Sequence, residues 1–205
     1  MSEDRTDLVS PLHAHLRAAT KQPHHALDHH PLLAPLVRTD PQLADYAAAL
    51  AALHGIYALA ETAMMEFLAR HPGLFDYTPR RRLSALEADL AVLDKAPVPI
   101  DATLPIPKNI GELVGMLYTI EGSTRGGRFI YRHLQQRFGD AIPLSFFAGY
   151  GEASEQRWEE FWQFADAYCP PAEYPDAARS AVRLFDFIEA HLDRSFAAFA
   201  VGRTS

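Results

Sequence analysis

Residues 117–134, LYTIEGSTRGGRFIYRHL, carry apolar residues at helical spacing and yet hold Gly122, Gly126 and Gly127 inside the run. A glycine costs about 1 kcal/mol relative to alanine in a helix interior, so three together forgo about 3 kcal/mol unless a close approach repays them. On a wheel of about 100° per residue, Gly111, Gly115, Gly122 and Gly126 fall within about 60° of one another, a nearly flat backbone stripe along one face. Two partners fit such a stripe: a neighbouring helix packed closely on small residues, or a flat and bulky ligand. The GSTRGG cluster leans towards the ligand, because adjacent glycines also permit a kink and expose backbone groups.

Outward from this stretch the dominant period stays helical, and alternating strand patterns bounded by turn residues are hard to find. The pattern predicts an all-α, single-domain helical bundle of about seven or eight helices over 1–205, with 1–9 as a flexible N-terminus. Ser10-Pro11, Asp40-Pro41 and Thr78-Pro79 each read as an N-cap followed by a first helical residue. They predict helices from Pro11, over about 41–70 and over about 79–94. The stretch APVPIDATLPIPK is a proline-rich connector without helix. Asn109 and Glu112 form a capping-box pattern that opens the glycine-bearing helix, and amphipathic stretches near 153–168 and 175–199 close the chain.

Composition narrows the function. A chain of 205 residues with 48% hydrophobic and 22% charged residues is long enough for one sizeable core. A net charge of −7 argues against a general nucleic-acid or anionic-membrane binder, and the Arg80-Arg81-Arg82 run reads first as a solvated face. A single cysteine, Cys169, excludes an intrachain disulfide framework. The N-terminal MSEDRTDLV shows neither a signal-peptide pattern nor a long apolar span, so a cytoplasmic setting is expected.

The second informative stretch is LRAATKQPHHALDHHPL, residues 16–32. His25 and His29 stand four apart on one helical face, as zinc ligands can, but no glutamate or third ligand accompanies them, and a histidine-rich polar face is more often solvated surface. His24 is different. Leu12, Leu16, Ala19, Pro23 and Leu27 form the core stripe, and Arg17, Thr20, His24 and Asp28 lie along its flank, where a pocket would open. Pro23 removes a backbone donor just before His24 and leaves the aim of its ring open.

Taken together, LRAATKQPHHALD and, about a hundred residues later, LYTIEGSTRGG resemble the bacterial haem oxygenases, particularly the type associated with bacteriophytochromes. The resemblance implies that haem b is both substrate and cofactor, cleaved with O2 and reducing equivalents to biliverdin, CO and ferrous iron. It makes His24 the proximal iron ligand and places Gly122, Ser123, Gly126 and Gly127 on the distal helix. Arg17 and, on a late helix, Arg157 correspond to basic residues that meet the haem propionates. Thr20 and Tyr118 fall beside these positions, although an aromatic at that spacing is more often core, and Arg157 reads more readily as an ordinary surface arginine. Where many relatives have a distal aspartate, this chain has Ser123, which donates and accepts without a fixed charge.

The same resemblance implies an external electron donor such as ferredoxin, for which Arg125, Arg128 and Arg132 form a candidate docking patch, with solvation as the blander account. It also suggests a bacteriophytochrome as acceptor of the bilin. Two other classes stay open. Related helical enzymes that degrade thiamine need a nucleophilic cysteine, which Cys169 beside Pro170-Pro171 motivates poorly. A non-catalytic haem-binding protein for storage, transfer or sensing would need the same His24 and the same pocket.

Overall fold

The computed structural model describes residues 10–202; the expected flexible segment 1–9 lies outside them. Seven α-helices follow one another: α1 (Pro11–Asp28), α2 (Leu43–Ala69), α3 (Leu83–Val92), α4 (Ile110–Phe138), α5 (Ser145–Ala148), α6 (Ser154–Tyr168) and α7 (Tyr174–Gly202). No strand occurs among the described residues, in line with the helical periodicity.

Local signals set some boundaries and tertiary contacts set the rest. Ser10 Oγ accepts from the His13 amide at 3.2 Å with Pro11 at the first helical position, which is the expected start of α1. Asn109 Oδ1 accepts from the Glu112 amide at 2.8 Å, while Glu112 reaches back to the Lys108 amide at 2.9 Å, so the box at the head of α4 closes one residue upstream of its usual donor. Asp40 does not cap α2. The chain is extended at Gln42, the helix begins at Leu43, and the Asp40 side chain is taken by Gln42 Nε2 and Arg137.

The helix expected from Pro79 also starts later. Thr78–Arg80 forms a 3₁₀ turn, Arg81 is extended, and α3 begins at Leu83. The buried carboxylate of Glu61, on α2, accepts from the Arg82 and Leu83 amides at 2.5 and 3.0 Å and from Arg81 Nε at 3.1 Å. A cap brought from another helix therefore fixes this start, and no sequence window contains it. Asp89 of α3 does the same for α5, accepting from the Ser145 and Phe146 amides at 3.1 and 2.8 Å. Asp89→Ala should leave two amides without a partner and lower stability by about 1–3 kcal/mol, read as a lower urea midpoint at unchanged m-value.

The core is built on α7, which packs along both α4 and α1. α2 is long and apolar enough to cross a bilayer by length and composition, but its apolar positions are spent on packing against α3, α4 and α7. The first half of the glycine stripe serves the same core. A Cβ on Gly111 would meet the Glu173 carbonyl oxygen, and one on Gly115 would meet backbone atoms of Ala177 and Ala181. There α4 lies backbone to backbone on α7 and the turn before it, which is the neighbouring-helix alternative.

Candidate functional site

α1 and α4 both rest on α7 and diverge above it. Between them opens a cleft of about 1270 Å³, larger than the roughly 300–1,000 Å³ of most small-molecule sites. α1 contributes Arg17, Thr20, Lys21, His24 and Asp28 to its wall. α4 contributes Tyr118, the GSTRGG run and the residues up to Arg132 that face inward. Apolar side chains close the space: Leu53 and Ile56 from α2, Phe146 and Phe147 from α5, Phe185 and Ile188 from α7.

α1 runs unbroken through Pro23, so His24 keeps the flank position that the wheel assigns it. Its Nδ1 lies 3.0 Å from Asp28 Oδ2, one helical turn on. A carboxylate there accepts the Nδ1 proton of a neutral imidazole, which fixes the tautomer and leaves the Nε2 lone pair unused. The ring is 65% exposed and stands 6.1 Å from that of Phe185. The other histidines of the stretch are occupied. His25 stacks on His29 with centroids 4.2 Å apart, and His29 Nδ1 bonds back to the His25 carbonyl. His30, expected on a solvated face, is instead buried: it accepts from the Leu32 amide at Nδ1 and donates from Nε2 to Asp193 at 3.2 Å, clamping the end of α1 to α7.

Opposite His24, the second half of the stripe behaves unlike the first. A Cβ on Gly126 would meet nothing within 4 Å, and one on Gly122 would make only ordinary contact with Trp158 at 3.8 Å. Gly127 is closed by Phe147 at 3.2 Å. The ligand alternative thus fits Gly122 and Gly126, and the helix-packing alternative fits Gly111 and Gly115. α4 stays helical throughout, and Ser123 and Thr124 both donate back to the Ile120 carbonyl, at 2.8 and 2.9 Å.

Ser123 has one proton, and Ile120 takes it. The 2.8 Å contact between Ser123 Oγ and Tyr57 OH is therefore donated by Tyr57, whose phenol is buried beside the cleft and pushed above its ordinary value by that burial. The sequence reading missed Tyr57. It sits in the apolar run of α2, and only the crossing of α2 and α4 brings it to Ser123.

Thr20 is buried against the cleft, donating to the Leu16 carbonyl at 2.8 Å and lying 3.4 Å from Tyr118 OH, so these two residues join α1 to α4. Arg17, Lys21 and Arg132 line the cleft and form no ion pair among the described residues. Arg125 and Arg128 share Glu155, at 3.1 and 3.9 Å. Arg157 is not among the residues that line the cleft. Its guanidinium pairs with Glu160 at 3.6 Å, and its carbonyl accepts from Arg80.

Behind the cleft wall Arg80, expected on a solvated face, is 2% exposed. It donates to Glu121 at 3.0 Å and Glu160 at 2.8 Å, and Tyr150 OH lies 3.1 Å from Glu121. Burial lifts the Glu121 carboxyl to about 7 although Arg80 and Tyr150 oppose the shift. A carboxyl raised on folding holds its proton better folded than unfolded, so stability should fall as pH rises from about 4.5 to about 7. Glu121→Gln is expected to flatten that part of a plot of Tm against pH. Cys169 is buried, with its thiol pushed up to about 11 by that burial, which leaves it a poor nucleophile.

The cleft thus sets the His24 imidazole and the uncovered backbone of Gly122 and Gly126 around one space. The heme oxygenase family model matches residues 10–194, and the chain belongs to that family. Over 93 residues, 45% of this chain, it is 40% identical to a heme oxygenase of Xanthomonas campestris pv. campestris, spanning 54%, about half, of that relative's length. The fold is similar to the NO- and CO-bound heme oxygenase from Neisseria meningitidis, with a TM-score of 0.72 at 20% identity over 90% of this chain and 91% of that one. It is also similar to heme oxygenase from Leptospira interrogans, with a TM-score of 0.69 at 16% identity over 90% and 100% of the two chains. The heme complex of heme oxygenase-1 from the cyanobacterium Synechocystis gives 0.58 at 18% identity over 96% and 100%.

Proposed function

We propose that the chain binds haem b in the cleft between α1 and α4 and cleaves it with O2 and external electrons to biliverdin, CO and ferrous iron. One observation carries the reading: His24, with Nδ1 held by Asp28, shares a cleft with Gly126, over which a Cβ would meet only open space. Bound there, haem supplies the O2 chemistry and is itself the macrocycle that is opened.

The chain's own residues supply the rest. His24 Nε2 would hold the iron, and Asp28, on Nδ1, keeps the ring correctly turned. Gly122 and Gly126 keep the opposite side free of side chains, so a diatomic ligand and water fit beside the α4 backbone. Ser123 keeps a free lone pair on that side and is itself polarised by the Tyr57 proton, so the pair can order a proton-carrying water. Apolar side chains from α2, α5 and α7 exclude bulk water from the macrocycle. Arg17 and Lys21, which line the cleft and form no ion pair among the described residues, offer cations to the propionates.

The finer assignments rest on the charge and on the resemblance of the two motifs to the bacteriophytochrome-associated type. On a chain of net charge −7, the cations Arg125, Arg128 and Arg132 gather at the cleft mouth and suit an acidic electron donor such as ferredoxin. The setting is the reducing cytoplasm, and a bacteriophytochrome receives the bilin. A single turnover of the ferric haem complex with ferredoxin and its reductase, or with ascorbate, tests the reading. Biliverdin with released CO supports it; a stable oxygen complex, or bleaching without bile pigment, would make the protein a haem carrier or sensor.

A further inference from the structure

Oxidisable rings gather on one side of the cleft. Tyr118 and Trp158 line it, and Trp158 carries the atoms nearest the space beside Gly122. From there the rings continue outward along α6. Trp158 and Trp162 are edge to face with centroids 5.5 Å apart, and Tyr118 stands 6.1 Å from the first and 5.8 Å from the second. Trp162 does not line the cleft; it is partly exposed and stacks on His13 at 4.3 Å. Its buried indole N–H finds no acceptor. The Arg125 guanidinium lies 5.8 Å over Trp158.

We propose that Tyr118, Trp158 and Trp162 form an electron-transfer path that drains stray oxidising equivalents from the cleft to the protein surface. This rests on the haem-binding reading of the cleft. The oxidant is hydrogen peroxide, which takes two electrons and two solvent protons to become two waters. The electrons leave the rings one at a time, and a soluble one-electron reductant of the ascorbate class returns each of them at Trp162. A cation over its face makes Trp158 harder to oxidise than Trp162, so the electron vacancy moves outward. Electron return at the partly exposed Trp162 restores the ring. Phe161 and Phe164, packed on the same helix, are too hard to oxidise to compete.

The test treats the haem complex with one equivalent of peroxide and reads the protein radical by electron paramagnetic resonance and the oxidised residues by peptide mass spectrometry. A tryptophan radical and oxidation centred on Trp162 are expected. Trp162→Phe should shift both to Trp158 and Tyr118 and increase haem loss, whereas Tyr118→Phe should leave the Trp162 signal in place. An unchanged radical and oxidation pattern in Trp162→Phe would overturn the proposal. A second arm needs no haem: a ruthenium photo-oxidant tethered through Gly126→Cys in the apo-protein is flashed with ascorbate present. Rapid return of the tryptophan radical by ascorbate, slowed in Trp162→Phe, supports the path. Equal rates in the two proteins would reject it, whether or not haem binds.

Discussion

His24→Ala is expected to abolish the imidazole-ligated haem spectrum while leaving the fold intact, because the ring is 65% exposed and its one polar partner is Asp28 on the same helix. Optical titration of the apo-protein with haem checks this, with a thermal melt as control. Asp28→Asn should be milder, since it weakens the hold on Nδ1 without removing the ligand; orienting partners of metal-bound histidines are worth about 10- to 100-fold in affinity. The other three histidines of residues 16–32 separate geometry from sequence. His25→Ala and His29→Ala should keep both spectrum and stability, and His30→Ala should keep the spectrum but melt earlier, because it breaks the link to Asp193 and the Leu32 amide. Lost ligation in His25→Ala alone would place the ligand one residue further on.

The second large effect separates two glycines of one stripe. Gly115→Ala puts a methyl group into the backbone of α7 at Ala177 and Ala181, where nothing flexible can move aside, and should lower apo-protein stability by about 1–3 kcal/mol. The Cβ of Gly126→Leu meets nothing within 4 Å in the apo-protein, and the residue lies on an exposed stretch of α4. Replacing a helical glycine there should leave the apo melting temperature unchanged or raised, by up to about 1 kcal/mol in stability. With haem the order reverses: the isobutyl group of Gly126→Leu fills the space that O2 needs, and bile pigment yield should collapse. A Gly126→Leu protein with a lowered apo melting temperature and normal turnover would contradict this division of the stripe.

That division also shows what the sequence can carry. The wheel places all four glycines on one face, correctly, but cannot say that α7 covers its first half and leaves the second open. The flank position of His24 was legible because its angle depends on α1 alone, and Ser10-Pro11 and Asn109 were legible because those caps are local. The caps that Glu61 and Asp89 supply come from other helices, so the starts of α3 and α5 could not be read from their neighbours in sequence. Arg80 read as surface because its charge suggests water, yet two carboxylates and a carbonyl replace that water. Arg157 gave no local signal of its partner either: on α6 its guanidinium pairs with Glu160, one turn on. Tyr57 carried no local signal, since its role exists only where α2 crosses Ser123.

The central claim is that one cleft holds haem between His24 and the open glycines of α4. A crystal structure of the haem-loaded protein tests it most directly. The account predicts iron bonded to His24 Nε2, Asp28 still on Nδ1, and the opposite haem face lying along the backbone of Gly122 and Gly126. Iron bound by any other side chain, or a macrocycle seated outside the space between α1 and α4, would contradict it.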